Sequence, residues 1–121
     1  MRKTLITGCL LLGVFAGSVE ADELCGRNPM EMSSPELFEC NIKTTEQAER
    51  KMRKAYEHAL RSQREPSLKS ELAAAQKAWE RYRQLQCKYL LDKMGEATEG
   101  PSWYQGCMQD MLKERTAWLE K

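Results

Sequence analysis

Histidine is almost missing from this chain: His58 is the only one among 121 residues. No Cys-x-x-Cys pair occurs either, and His58 is remote in sequence from every cysteine. A structural zinc site therefore has no legible ligand set, and a histidine-based nucleophile has no legible partner. Long apolar runs are also lacking. The one near the N-terminus, residues 5–16, falls short of the roughly 20 residues a membrane-spanning helix needs. Strand-like alternation of useful length is absent, and so is any internal repeat, which excludes sheet-based and solenoid architectures. Strong charge of one sign is missing too: 19 Lys and Arg stand against 18 Asp and Glu. A general nucleic-acid binder needs a basic face that this balance does not supply. The scattered carboxylates carry no spacing that marks an acid–base pair. An enzyme is not expected, nor is a cofactor or a bound metal.

The N-terminus reads as an export signal. Arg2 and Lys3 precede the apolar run, and Val19-Glu20-Ala21 offers small residues at the spacing a signal peptidase reads. Residues 1–21 are taken as the signal, with cleavage after Ala21, leaving a mature domain of residues 22–121 in the periplasm or outside the cell. Loss of Arg2, Lys3 and Glu20 takes the formal charge from +1 to 0. No stable membrane insertion is expected after cleavage.

Cleavage also removes Cys9 and leaves Cys25, Cys40, Cys87 and Cys107. An even number of cysteines in a small exported domain reads as two disulfides. Proximity in sequence favours Cys25–Cys40 with Cys87–Cys107. Cys40–Cys87 with Cys25–Cys107 stays open, because antiparallel helices would bring those residues to one end as well. Each short loop so closed is worth about 3 kcal/mol in the chain-entropy model. That is a large share of the roughly 5–15 kcal/mol that separates folded from unfolded domains.

Periodicity points to an all-α domain of three helices behind an irregular arm. Residues 22–40 hold Gly26, Asn28, Pro29, Ser33, Ser34 and Pro35, all turn or cap formers. The first long helix is expected from Thr44, with Gln47 as its capping-box partner. It would bury Ala48, Met52, Ala55, Tyr56, Ala59 and Leu60, and stop before Pro66. The second is expected from Ser67 to about Gly95, with a seam of Leu68, Leu72, Ala75, Trp79, Tyr82, Gln86 and Tyr89, widened by Leu85 and Leu90. The third is expected from Ser102, facing inward with Tyr104, Cys107, Met108, Met111, Leu112, Arg115, Trp118 and Leu119.

The element Ala75-Gln76-x-x-Trp79-x-x-Tyr82-Arg83-x-x-x-Cys87, followed by a Gly/Pro loop, Cys107 and Glu114-Arg115-x-x-x-Leu119, resembles the lysozyme inhibitor LprI-like N-terminal domain family. The likeness runs from about Cys25 to Leu119. It departs from the family at Gln84, where an acidic residue is frequent, at Leu112, where threonine is, and in a loop poorer in glycine and serine. The resemblance implies a helical, disulfide-bonded, periplasmic or secreted domain. It marks Gln76, Trp79, Tyr82, Arg83 and Arg115 as signature residues, and lysozyme as the partner class.

Each chemistry-bearing group also has a plain structural reading. Trp79, Tyr82 and Tyr89 fit core packing along a seam better than a sugar platform. Arg83 and Arg115 read as structural cations paired with Glu114, Asp110 or a helix C-terminus. The first helix is rich in Arg50, Lys51, Arg53 and Lys54, interleaved with Glu46, Glu49 and Glu57. That reads as a solvated face with i,i+4 pairs such as Glu46–Arg50 and Glu57–Arg61. Glu96, Glu99, Trp103 and Tyr104 are the candidate partner surface, since acidic and aromatic groups suit a basic sugar-cleaving enzyme. Two functions follow. One is an exported inhibitor of lysozyme-type cell-wall hydrolases. The other is an envelope adaptor that binds a protein or an anionic glycan without inhibiting anything.

Overall fold

A computed structural model describes residues 25–121; the expected export signal, residues 1–21, lies outside the described residues. A 3-10 turn, Pro29–Glu31, precedes three helices: α1 (Ser34–Ser62), α2 (Pro66–Met94) and α3 (Gly100–Leu119). No strand occurs among the described residues, as the all-α expectation requires.

Helix α1 begins ten residues before the expected Thr44. Ser33 is its N-cap, and Glu36 turns back so that its carboxylate accepts from the Ser33 N–H at 2.8 Å and from its hydroxyl at 2.7 Å. Pro35 sits in the first turn, where a missing N–H costs nothing. The Asn41-to-Thr45 stretch looks unfavourable for helix, being β-branched and polar. It stays helical because the Thr44 and Thr45 hydroxyls donate to the carbonyls of Cys40 (2.9 Å) and Asn41 (3.0 Å). The irregular arm is thus confined to residues 25–33. Arg27 ties it to Glu36 at 3.2 Å.

Pro66 opens α2 in its first turn, and Gly95 closes it with φ 61°, a left-handed conformation that glycine adopts without strain. Gly100 starts α3 against α2; a Cβ there would meet Leu91 Cδ1 at 3.2 Å.

The short connections make the helices run up, down and up, so α1 and α3 are parallel and α2 is antiparallel to both. The disulfides are Cys25–Cys40 and Cys87–Cys107, with Cα separations of 5.3 and 5.7 Å, which settles the pairing left open by sequence. Both lie at the end where α1 starts, α2 stops and α3 starts. This is the tied end. The opposite, open end carries the 63–65 connection and the α3 terminus.

The apolar core is Met52, Ala55, Leu112 and Leu119, with Ala48, Tyr56, Ala59, Leu72 and Trp79 packed against it. The expected inner face of α1 is therefore the observed one. The expected seam of α2 is only partly observed: Leu72 and Trp79 face the core, but the rest departs from it. Tyr82, Leu85 and Tyr89 are 55, 57 and 65% exposed, and Leu68 is exposed as well. Gln76, Arg83 and Cys87 are buried instead. The true seam is rotated by about one residue. Polar side chains hold it, and they can be buried because they find partners there.

Candidate functional site

The buried face of α2 carries a chain of polar and aromatic groups that joins all three helices. Arg83, nearly fully buried, reaches α1 and pairs with Glu49 at 3.0 Å. Its guanidinium lies over the Trp79 ring, 5.1 Å from the centroid. From α3, Arg115 approaches the same ring at 5.7 Å and stacks on Trp118 at 4.6 Å. Arg115 Nε donates to Gln76 Oε1 at 3.0 Å. The Gln76 amide donates onward to Met52 Sδ and to Glu80 Oε1, at 3.1 and 3.3 Å. The order Trp118–Arg115–Trp79–Arg83–Glu49 alternates ring and cation across the bundle, a favourable arrangement when partly desolvated.

This network corrects the expected partners of the arginines. Neither pairs with Glu114, Asp110 or a helix end. Glu49, expected on a solvated face, is the counter-ion of Arg83 across the helix interface. Burial pushes the Arg115 pKa down, and the nearby Tyr56 acts in the opposite sense. Arg115 has no carboxylate partner among the described residues, and its stability in this position comes from two indole faces and one amide. Arg83 Nε and Nη1 and Arg115 Nη2 are buried without a protein acceptor. Glu57–Arg61 forms at 4.0 Å, whereas no Glu46–Arg50 pair does.

Four of the five signature residues, Gln76, Trp79, Arg83 and Arg115, converge in this network. Tyr82 does not; it points outward, as does Tyr89, so neither packs in the core nor shares a platform with Trp79. Glu49, Met52 and Trp118 complete the network and were not singled out as its members. A signal for its position was present, since Gln76, Trp79, Arg83 and Cys87 fall at i, i+3, i+7 and i+11 and trace one helix stripe.

The candidate partner surface lies at the tied end. Glu96 and Glu99 are exposed in the α2–α3 connection, Trp103 is 53% exposed and Tyr104 is half-buried. The neighbouring interface is a polar latch: the single Thr45 hydroxyl proton is shared between the Asn41 carbonyl and Gln105 Oε1, which lies 2.7 Å away, and Gln109 Nε2 donates to Thr45 Oγ1 and to the Asn41 carbonyl, both at 3.1 Å. Among the described residues, no three His, Cys, Asp or Glu side chains gather where they could hold a metal, and no helix is long and apolar enough to cross a membrane.

The fold and the network define a small, disulfide-tied helical domain whose buried polar groups bind one another. Residues 25–119 match the family model described as lysozyme inhibitor LprI. The chain belongs to that family. No curated protein and no solved structure matches it. The two disulfides fit an oxidising compartment.

Proposed function

We propose that the mature domain is an exported binding protein that inhibits lysozyme-type cell-wall hydrolases and has no catalytic activity of its own. The observation that carries this reading is the family match across residues 25–119. Export by residues 1–21 would deliver it to the compartment where such hydrolases act. The tied end is the proposed contact surface. Glu96 and Glu99 would steer a basic enzyme by long-range attraction, which acts mainly on the association rate. Trp103 would serve as the anchor, since exposed aromatics carry a large share of interface energy. The signature arginines have a supporting role in this scheme: Arg83 ties α2 to α1 through Glu49 and Arg115 ties α3 to α2 through Gln76, and together they fix where α2 ends and α3 begins.

The test is a cell-wall clearing assay with the oxidised mature protein. Wild type should slow a lysozyme in a salt-sensitive manner. Glu96→Lys with Glu99→Lys should weaken inhibition at least tenfold, mostly through slower association. If the oxidised protein slows no lysozyme, the reading is wrong for this chain. If the double reversal inhibits as well as wild type, the contact surface lies elsewhere.

A further inference from the structure

A groove of about 890 Å³ runs between α1 and α3, and no α2 residue lines it. From Thr44 to His58 it follows α1 for about 21 Å, at roughly 1.5 Å per residue. Its apolar lining is small: Ala48, Ala55, Ala117 and Leu119. The α1 bank carries Lys51, Lys54 and His58 and no acid, while the α3 bank alternates Asp110, Lys113 and Glu120. Lys51, Lys54 and Lys113 form no ion pair with any described residue.

We infer that this groove takes an amphipathic α-helix from a protein partner, with small apolar residues on its inner face and carboxylates along the flank that meets Lys51 and Lys54. The alanine-rich lining lets a helix approach closely. An apolar bed between charged banks is the pattern of helix-in-groove recognition, in which anchors recur at i, i+3, i+4 and i+7. Lys51 and Lys54, three apart on α1, match carboxylates at similar spacing on the incoming helix. A uniformly polar anionic glycan would leave the apolar bed unused, and no Trp, Tyr or Phe ring lines the groove for a sugar to stack on. A second copy of this chain suits it poorly. Its own exposed ridge, Tyr82, Leu85 and Tyr89 on α2, carries bulky side chains rather than small ones, and its flanking charges are mixed, with Arg81 and Lys93 beside the Lys88–Asp92 ion pair, so it offers no row of carboxylates to Lys51 and Lys54. The groove is separate from Glu96, Glu99 and Trp103, so it stands or falls apart from the inhibitor reading.

The experiment titrates the oxidised protein with a designed 14-residue helical peptide bearing Ala and Leu on one face and Glu at i,i+4 along one flank. Amide chemical shifts locate binding. The Lys-for-Glu peptide and heparin are the comparison probes. The acidic peptide should shift resonances along α1 and α3, and Lys51→Glu with Lys54→Glu should weaken it at least tenfold. Lys88→Glu, on α2, should leave it unchanged. Lys113→Glu provides a second groove variant, and helicity by circular dichroism verifies that each variant folds. Equal binding of both peptides, indifference to the groove substitutions, or no peptide binding would overturn the inference. Heparin binding through these lysines without peptide binding would assign the groove to glycans and overturn it equally.

Discussion

The two ends of the bundle are held by different physics. At the tied end, the apolar contribution is modest, and two disulfides, the Thr45–Gln105–Gln109 latch and the close approach of Gly100 to Leu91 fix the helices. Towards the open end, Met52, Ala55, Leu112 and Leu119 pack together and the Arg–Trp–Gln network spans the interfaces. A cross-link acts largely by restricting the unfolded chain and needs no dense packing around it. Buried apolar groups act through area removed from water. Few side chains here are fully enclosed, Leu112 and Cys87 being the largest. A bundle this thin gains most from covalent ties at the end where its core is weakest.

The largest expected effect breaks the packed half. Leu112→Ala should cost about 2–5 kcal/mol, as for other enclosed leucines, and a urea melt of the oxidised protein measures it. A loss below about 1 kcal/mol would mean that the core does not centre on Leu112. Next comes the staple between α2 and α3. Cys87→Ser with Cys107→Ser should cost about 3 kcal/mol by the loop it opens. Cys25→Ser with Cys40→Ser should lower the global midpoint less, despite a similar loop, because it releases an arm rather than separating two helices. The two double variants melting alike would erase that distinction.

Within the network, Glu49→Ala should cost about 1–3 kcal/mol, because it leaves Arg83 Nη2 without its acceptor and the buried cation without its counter-ion. Arg83→Met should cost less, since an apolar side chain of similar length needs no partner. The opposite order in thermal melts would show that the cation itself holds the interface. The smallest effect concerns the arm. The Ser33 backbone N–H, helped by the Ser33 hydroxyl and by Arg27, lowers the pKa of Glu36. A lowered carboxylate pKa stabilises the folded state above the ordinary glutamate value, and that contribution is lost as pH falls through the lower folded-state value. Amide exchange in residues 33–37 should therefore rise in that acidic window while the α3 core stays protected. Glu36→Gln should remove the pH dependence; an unchanged profile would rule out the cap as its source.

Much of this architecture is legible in the sequence. Pro66, Gly95 and the Gly100-Pro101 step set the breaks between helices, and cysteines near one another in sequence proved to be partners. The early start of α1 was hidden because the Asn41-to-Thr45 stretch has low helix propensity on its own. Two threonine hydroxyls and the cap at Ser33 override it, and propensity alone does not register such bonds. The α2 seam was misread for a related reason. Counting apolar residues assumes that the buried stripe is apolar, which favoured Tyr82, Leu85 and Tyr89. Gln76 and Arg83 lie inside because Arg115 and Glu49 arrive from other helices, and those partners are visible only in three dimensions. The exposed residues Glu96 and Glu99 were recognisable as loop residues from composition, with Trp103 beside them in the first turn of α3.

The three tryptophans are spread so that each reports on a different place. Trp103 sits at the tied end, Trp118 near the opposite terminus and Trp79 between two guanidinium groups in the interior. Single-tryptophan versions would turn intrinsic fluorescence into three separate probes. With phenylalanine in place of the other two indoles, so that a ring still faces each guanidinium, emission colour and iodide quenching could then follow ligand arrival at one tip, fraying at the other and melting of the middle.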